Sequence, residues 1–202
     1  MAGQAVTAPP RGLAPVRIIG GSVTLRPFTE TEVADVESTV YDHPDRERDR
    51  WEFPMGPPPR DAFRERLLGS GRFVREVLDL AVEVDGRLVG QVQARKPKDC
   101  APPGVFSLGI SLRHQEQGRG IGGEAVRLMT GHLFTQEGAS RVEVSTDVEN
   151  RPMRAVSERL GFALEGVLRS FMPTREGRRD YALYAMTRED WEKEKVNWTR
   201  AS

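Results

Sequence analysis

The segment Gln115-Glu116-Gln117-Gly118-Arg119-Gly120-Ile121-Gly122-Gly123 constrains this chain more than any other, because four of its last six residues are glycine. Before it, Val105 to Leu112 alternates as a strand does; after it, Ile121, Ala125, Leu128, Met129 and Leu133 recur at helical spacing. The segment is therefore a bend leading from a strand into an amphipathic helix. Glycines there let backbone N–H groups turn toward a ligand with no Cβ in the way. The helix start adds unpaired N–H donors and a partial positive charge, which together suit a diphosphate. A glycine-rich tight turn that holds nothing is the plain alternative.

The rest of the chain supplies a setting for that bend. Residues 1–21 are rich in Ala, Pro and Gly without a sustained period, and read as a flexible extension. Ser22 to Pro27 alternates as a first strand, and Thr29 caps a helix whose Val33, Val36 and Val40 share a face. The stretch 41–60 breaks the pattern and reads as a long loop, followed by a short helix from Asp61 to Leu68. Trp51 and Phe53 in that loop could line a lid or anchor it to the core. The run Asp45 to Arg50 reads as a solvated mixture of charges. Leu78 to Val84 and Arg87 to Ala94 flank Asp85-Gly86, a hairpin signal. Beyond the glycine segment come a strand at Arg141 to Thr146, a helix capped by Asn150, and two strands at about 163–171 and 178–186. The order β-α-α-β-β-β-α-β-α-β-β calls for an α/β (α+β) domain over residues 22–191, with 192–202 as a tail.

Composition narrows the function classes. Thirty Lys and Arg balance thirty Asp and Glu, so the zero net charge argues against a general nucleic-acid binder. The lone Cys100 has no internal disulfide partner, which points to a reducing cytoplasm. His43, His114 and His132 make no metal-ligand spacing with it. No apolar run reaches the roughly 18 residues of a membrane span, and the N-terminus lacks the apolar stretch of a signal peptide.

Three phosphate motifs compete for the glycines. A Walker P-loop ends in Gly-Lys-Ser/Thr, where this chain has Gly122-Gly123-Glu124. Gly118-x-Gly120-x-x-Gly123 matches the dinucleotide fingerprint formally, with Glu143 twenty residues on, but the strands before it read as an antiparallel meander. Gln115-x-x-Gly118-x-Gly120 resembles the acetyl-CoA loop of the GNAT N-acetyltransferase superfamily. Leu25-Arg26-Pro27 looks like that superfamily's opening strand. Asn150, Leu160-Gly161-Phe162 and Glu165 to Arg169 resemble its branch that acetylates ribosomal-protein N-termini, and Arg179-Asp180-Tyr181 through Tyr184 resembles the closing strand. The similarity covers about residues 22 to 191.

The resemblance implies a GNAT-like mixed, mostly antiparallel twisted sheet of about seven strands, about four flanking helices and a splayed strand pair. It implies acetyl-CoA as co-substrate and direct attack by a primary amine in a ternary complex. Pantetheine would lie between strand 105–112 and strand 141–146, against the backbone of Leu108, Ile110 and Leu112. The pyrophosphate would rest on N–H groups of Gln117, Gly118, Arg119, Gly120, Ile121 and Gly122, with Arg113 or Arg119 adding charge. Asn150 would bond the pantetheine arm or serve simply as a helix cap. Backbone N–H groups from Leu108 to Ile110 would face the developing oxyanion. The acceptor would be a protein N-terminus, or alternatively an antibiotic, polyamine or amino acid; a homodimer is open. A regulator that binds acyl-CoA without turnover is a third reading.

The acid and base do not transfer from the resemblance. The positions expected from relatives hold Met153, Met172, Ser107 and Ser157. Glu83 and His114 are the remaining candidates for a base. A site without a strong base suits an α-amine, which needs only about 1.4 kcal/mol to become neutral at pH 7, against roughly 4.6 for a lysine.

Overall fold

The computed structural model describes residues 14–42, 57–96, 102–174 and 177–200. Trp51, Phe53, Cys100, His43 and the run 45–50 lie outside the described residues. In chain order come β1 (Ile18–Ile19), β2 (Thr24–Arg26), α1 (Glu30–Tyr41), α2 (Arg60–Leu68), β3 (Phe73–Val74), β4 (Val77–Val84), β5 (Arg87–Arg95) and β6 (Val105–Leu112). After a 3-10 turn at His114–Glu116 follow α3 (Ile121–Thr135), β7 (Arg141–Asp147), α4 (Arg151–Arg159), β8 (Ala163–Thr174), β9 (Gly177–Thr187) and α5 (Arg188–Arg200).

The strands form one mixed sheet ordered β1-β2-β4-β5-β6-β7-β9-β8, with β3 beside β4. Among the described residues every pair is antiparallel except β6–β7. Local chemistry explains the joints. Asp85 and Gly86 both take positive φ, 49° and 74°, as the two-residue hairpin turn between β4 and β5 requires. Thr29 and Glu32 form a reciprocal capping box at the start of α1.

Among the described residues, nine strands and five helices exceed the seven and four expected. The additions β1 and β3 are two residues each, too short to show alternation. β1 lies inside the stretch read as an extension, where it pairs with β2 through Ile18 and Leu25. The stretch read as a tail is instead most of α5, which Trp191 docks by stacking on Phe134 at 5.2 Å between ring centroids.

Two cores lie on opposite faces of the sheet. Phe106, Leu108, Met129, Leu133, Val142, Val144, Tyr184 and Trp191 belong to the larger, with α3, α4 and α5. Phe28, Val33, Val40, Phe63, Leu67 and Ala81 form the smaller, under α1 and α2. Each fully buried Leu or Phe contributes roughly 1.5–3 kcal/mol, so this second cluster is what holds α1 and α2 to the sheet. No described helix is long and apolar enough to cross a membrane.

Candidate acetyl donor and acceptor site

The parallel pair β6–β7 stays together for only part of its length. Val105 to Leu108 pair with Arg141 to Val144, and the register ends there. On its other side β6 remains paired with β5 as far as Leu112. The Arg113 N–H donates to the Val89 carbonyl at 2.9 Å. Antiparallel alternation then turns the backbone groups of Ser107, Gly109 and Ser111 toward β5, and those of Leu108, Ile110 and Leu112 toward β7. Leu108 is still in the paired stretch, whereas Ile110 and Leu112 open onto a gap. Gln117 Nε2 donates to the Leu112 carbonyl at 3.2 Å, folding the glycine segment over the end of β6.

At that segment Gly118 and Gly120 take φ of 72° and 83°, in the left-handed region. A Cβ at either would meet nothing within 4 Å, so both face open space. Gly120 is the N-cap of α3 and offers no side chain to cap it. Among the described residues no hydrogen bond engages the N–H groups of Gly118 to Gly123. Beneath the bend, Glu116 is 3% exposed and accepts from Arg119, with Arg87 at 3.6 Å. One edge of the Arg119 guanidinium is thus engaged by its own loop. Glu124, a turn into α3, accepts from Ser22 through its N–H (3.1 Å) and Oγ (2.6 Å). Burial alone would raise the Glu124 carboxyl, but these bonds and those from Val23 and Gly21 prevail and hold it below its ordinary value.

Asn150 caps α4: its Oδ1 accepts from the Met153 N–H at 3.3 Å while Nδ2 donates to Thr146 Oγ1 at 3.1 Å. Arg113 is exposed, and its side chain lines a cavity on the α1 face. His114 is exposed on the 3-10 turn. Glu83 lies on β4, two strands from β6, and Arg26 Nε donates to it at 2.5 Å. That carboxylate is held in an ion-pair network with Arg26 and Glu32. Ser157 is fully buried and donates to the Met153 carbonyl at 3.0 Å, and Met153 packs on the larger core.

The face opposite α3 holds residues that sequence reasoning did not single out. Gln93 of β5 sits beside Gly109 of β6, and a Cβ on that glycine would lie 3.3 Å from Gln93 Cγ. Ser145, the first β7 residue past the paired stretch, shares this face, because it alternates with Val144 of the larger core. Its Oγ is buried with no hydrogen-bond partner among the described residues. A cavity of about 140 Å³ opens beside Gln93, floored by Phe28, Val36, Val40, Phe63 and Leu88, with Asp35, Gln91, Gln93, Ser111 and Arg113 among its polar lining. Two residues past Ser145, Asp147 is 2% exposed, accepts from the Glu149 N–H at 2.8 Å and pairs with Arg179 at 3.3 Å.

Comparison with known proteins gives this arrangement relatives. The chain is 28% identical over 148 residues, 71% of its length and 79% of the other's, to a Bacillus subtilis (strain 168) protein provisionally named ribosomal N-acetyltransferase YdaF. It is 26% identical over 174 residues to the prophage-derived N-acetyltransferase YokL of the same organism, covering 86% of this chain and 94% of that one. Among solved structures, Mycobacterium smegmatis RimJ in complex with CoA-disulfide superposes with a TM-score of 0.67 at 27% identity, over 88% of this chain and 87% of that one. The family model for the acetyltransferase (GNAT) domain matches residues 22–163, and with a splayed β6–β7 pair beside a glycine bend the chain belongs to the GNAT acetyltransferases.

Proposed function

We propose that this acetyltransferase moves the acetyl group of acetyl-CoA to the N-terminal α-amine of a protein or peptide, with both substrates bound together. Acetyl-CoA, when bound, supplies the acetyl thioester. The observation that carries the reading is the row of unengaged N–H groups from Gly118 to Gly123 beside the gap between β6 and β7. The bend offers the diphosphate a cluster of donors at the start of α3. The backbone of Ile110 and Leu112 offers an amide-bearing arm the hydrogen bonds that β7 does not take. Gln117 and Arg119 hold the bend on β6 and on Glu116, so the donors are fixed before a ligand arrives.

In the transfer the acceptor nitrogen forms a bond to the acetyl carbon while the carbon–sulfur bond breaks with its electron pair on sulfur. The nitrogen gives up one proton, which ends on the thiol or in water. An α-amine fits this site better than a lysine because Met153, Met172, Ser107 and Ser157 provide no titrating base. The Bacillus subtilis relative named for ribosomal acetylation supports the same acceptor class. A cytoplasmic location accords with such an acceptor. Asp35 on the cavity favours a second reading, a cationic small-molecule acceptor.

Thiol release from acetyl-CoA, measured against N-terminal peptides, lysine side chains, polyamines and aminoglycosides, tests the reading. Gly120→Glu should abolish turnover and CoA binding, because a carboxylate would point into the space that the diphosphate needs. Undiminished CoA binding by that variant, or faster transfer to lysine than to N-termini, would overturn it.

A further inference from the structure

We infer that Gln93 and Ser145, standing on either side of Gly109 where β6 and β7 part, form the acceptor cradle and select an amine that has a carbonyl one carbon away. This deepens the proposed function and rests on the donor lying in the β6–β7 gap. Gln93 is 9% exposed, and Arg95 Nη2 donates to its Oε1 at 2.5 Å. A guanidinium has donors only, so the amide oxygen must be the atom that faces it. The Gln93 amide nitrogen is thereby turned away from Arg95 toward the cavity it lines, and among the described residues nothing accepts from it.

Buried hydroxyl groups are rarely left without partners, and one such group stands across Gly109 from the Gln93 amide. Ser145 Oγ is buried and unpartnered, on the same face and beyond the last β6–β7 pair. Gly109 between them carries no side chain, so Gln93 can lie over the place where a Cβ would stand. The chemistry of the pair is directional. Gln93 presents N–H donors, which repel an ammonium and bind a carbonyl oxygen. Ser145 can accept from an amine N–H and donate in turn. A peptide N-terminus has both partners on adjacent carbons, whereas a polyamine offers only N–H groups. The neighbouring 140 Å³ is comparable to the ~150 Å³ cavity known to hold benzene, enough for a short first side chain.

The test compares an Ala-starting peptide with spermidine as acceptors, alongside CoA binding by calorimetry. Gln93→Glu keeps the shape and the Arg95 partner but replaces the donors by a carboxylate oxygen. It should lower kcat/KM for the peptide by about tenfold or more, leave spermidine undiminished or improved, and leave the Kd for CoA unchanged. Ser145→Ala should lower kcat for the peptide by about tenfold with less change in its KM. The inference is overturned if Gln93→Glu stays within twofold of wild type on the peptide, or if both acceptors fall together. Failure of the wild-type protein to bind CoA would instead remove the reading of the gap itself.

Discussion

Replacing Gly120 by Ala separates what the glycine does for the fold from what it does for a ligand. Gly120 sits at φ 83°, ψ −14°. An L-residue in that region costs about 1–2 kcal/mol. No steric term adds to this, because the new methyl would meet nothing within 4 Å. Gly131, inside α3, is the matched control: its Cβ also meets nothing, and its φ is not in the left-handed region. There Ala should stabilise by about 0.5–1 kcal/mol, the ordinary helix preference. At about 2–4 °C per kcal/mol for a chain of this size, Gly120→Ala lowers Tm by about 2–8 °C and Gly131→Ala raises it by about 1–4 °C. Calorimetric melting measures both. Affinity for CoA should move differently, because the Gly120 methyl would stand in front of the bend's donors. Loss of one charge-assisted hydrogen bond weakens binding by about tenfold to a hundredfold, whereas Gly131→Ala leaves it alone. If Gly120→Ala melts lower yet binds CoA as tightly as wild type, the glycine serves the turn only and the bend is not the diphosphate cradle.

Two further outcomes concern the scaffold. Hydrogen bonds from Arg26, against an opposing effect of burial and with help from Thr29, hold the Glu32 carboxyl down to about 2. Its value in the unfolded chain is about 4.3. The unfolded chain therefore takes up the proton first, and Glu32 contributes stability that is complete above about pH 4.3 and fades as pH falls toward 2. Urea midpoints across pH 2–5 should show this loss, and Glu32→Gln should flatten it; an unchanged slope would rule out the pair as its source. Asp79 is 1% exposed and accepts two bonds from Arg66, at 2.9 and 3.0 Å. Asp79→Asn should cost about 3–5 kcal/mol in urea unfolding by leaving a guanidinium without its counter-charge, and Arg66→Met with Asp79→Leu should recover most of that.

The glycine bend proposed to hold the donor was legible in the sequence, while the proposed acceptor cradle was not, for a physical reason. A bend of this kind leaves a local imprint: the backbone must turn left-handed at Gly118 and Gly120, and only glycine does so without strain. A hairpin turn and helix caps are local in the same sense, and Asp85-Gly86, Thr29 and Asn150 all stand where their sequence neighbours require. Gln93, Gly109 and Ser145 lie 16 and 36 residues apart along the chain and meet only through strand register. Nothing near Gln93 in the sequence distinguishes it from Gln91, and a serine at 145 reads as ordinary alternation. Arg26 shows the same limit: as part of Leu-Arg-Pro it resembled a family's opening strand, yet its links to Glu32 and Glu83 emerge only from the fold. Glu83 became a candidate base because strand alternation cannot tell a carboxylate facing a ligand from one facing a guanidinium.

The absence of titrating groups at Met153, Met172, Ser107 and Ser157 bears on rate as well as on assignment. With no titrating group at those four positions, the enzyme as proposed acts on the fraction of acceptor that is already neutral. For an α-amine with pKa near 7.7–8.0 that fraction is about one part in six to eleven at pH 7, and for a lysine near 10.4 it is about one in 2,500. Holding the neutral amine against Ser145 and its carbonyl against Gln93 adds orientation, which alone can supply about 7–11 kcal/mol of acceleration. Asp147, two residues beyond Ser145, is engaged by Arg179 and by the Glu149 N–H. A site of this kind should therefore follow the titration of the acceptor: the rate rises with pH through the pKa of the amine supplied and shifts when a peptide with a different N-terminal pKa is used. A protein base would instead impose the same inflection on every acceptor.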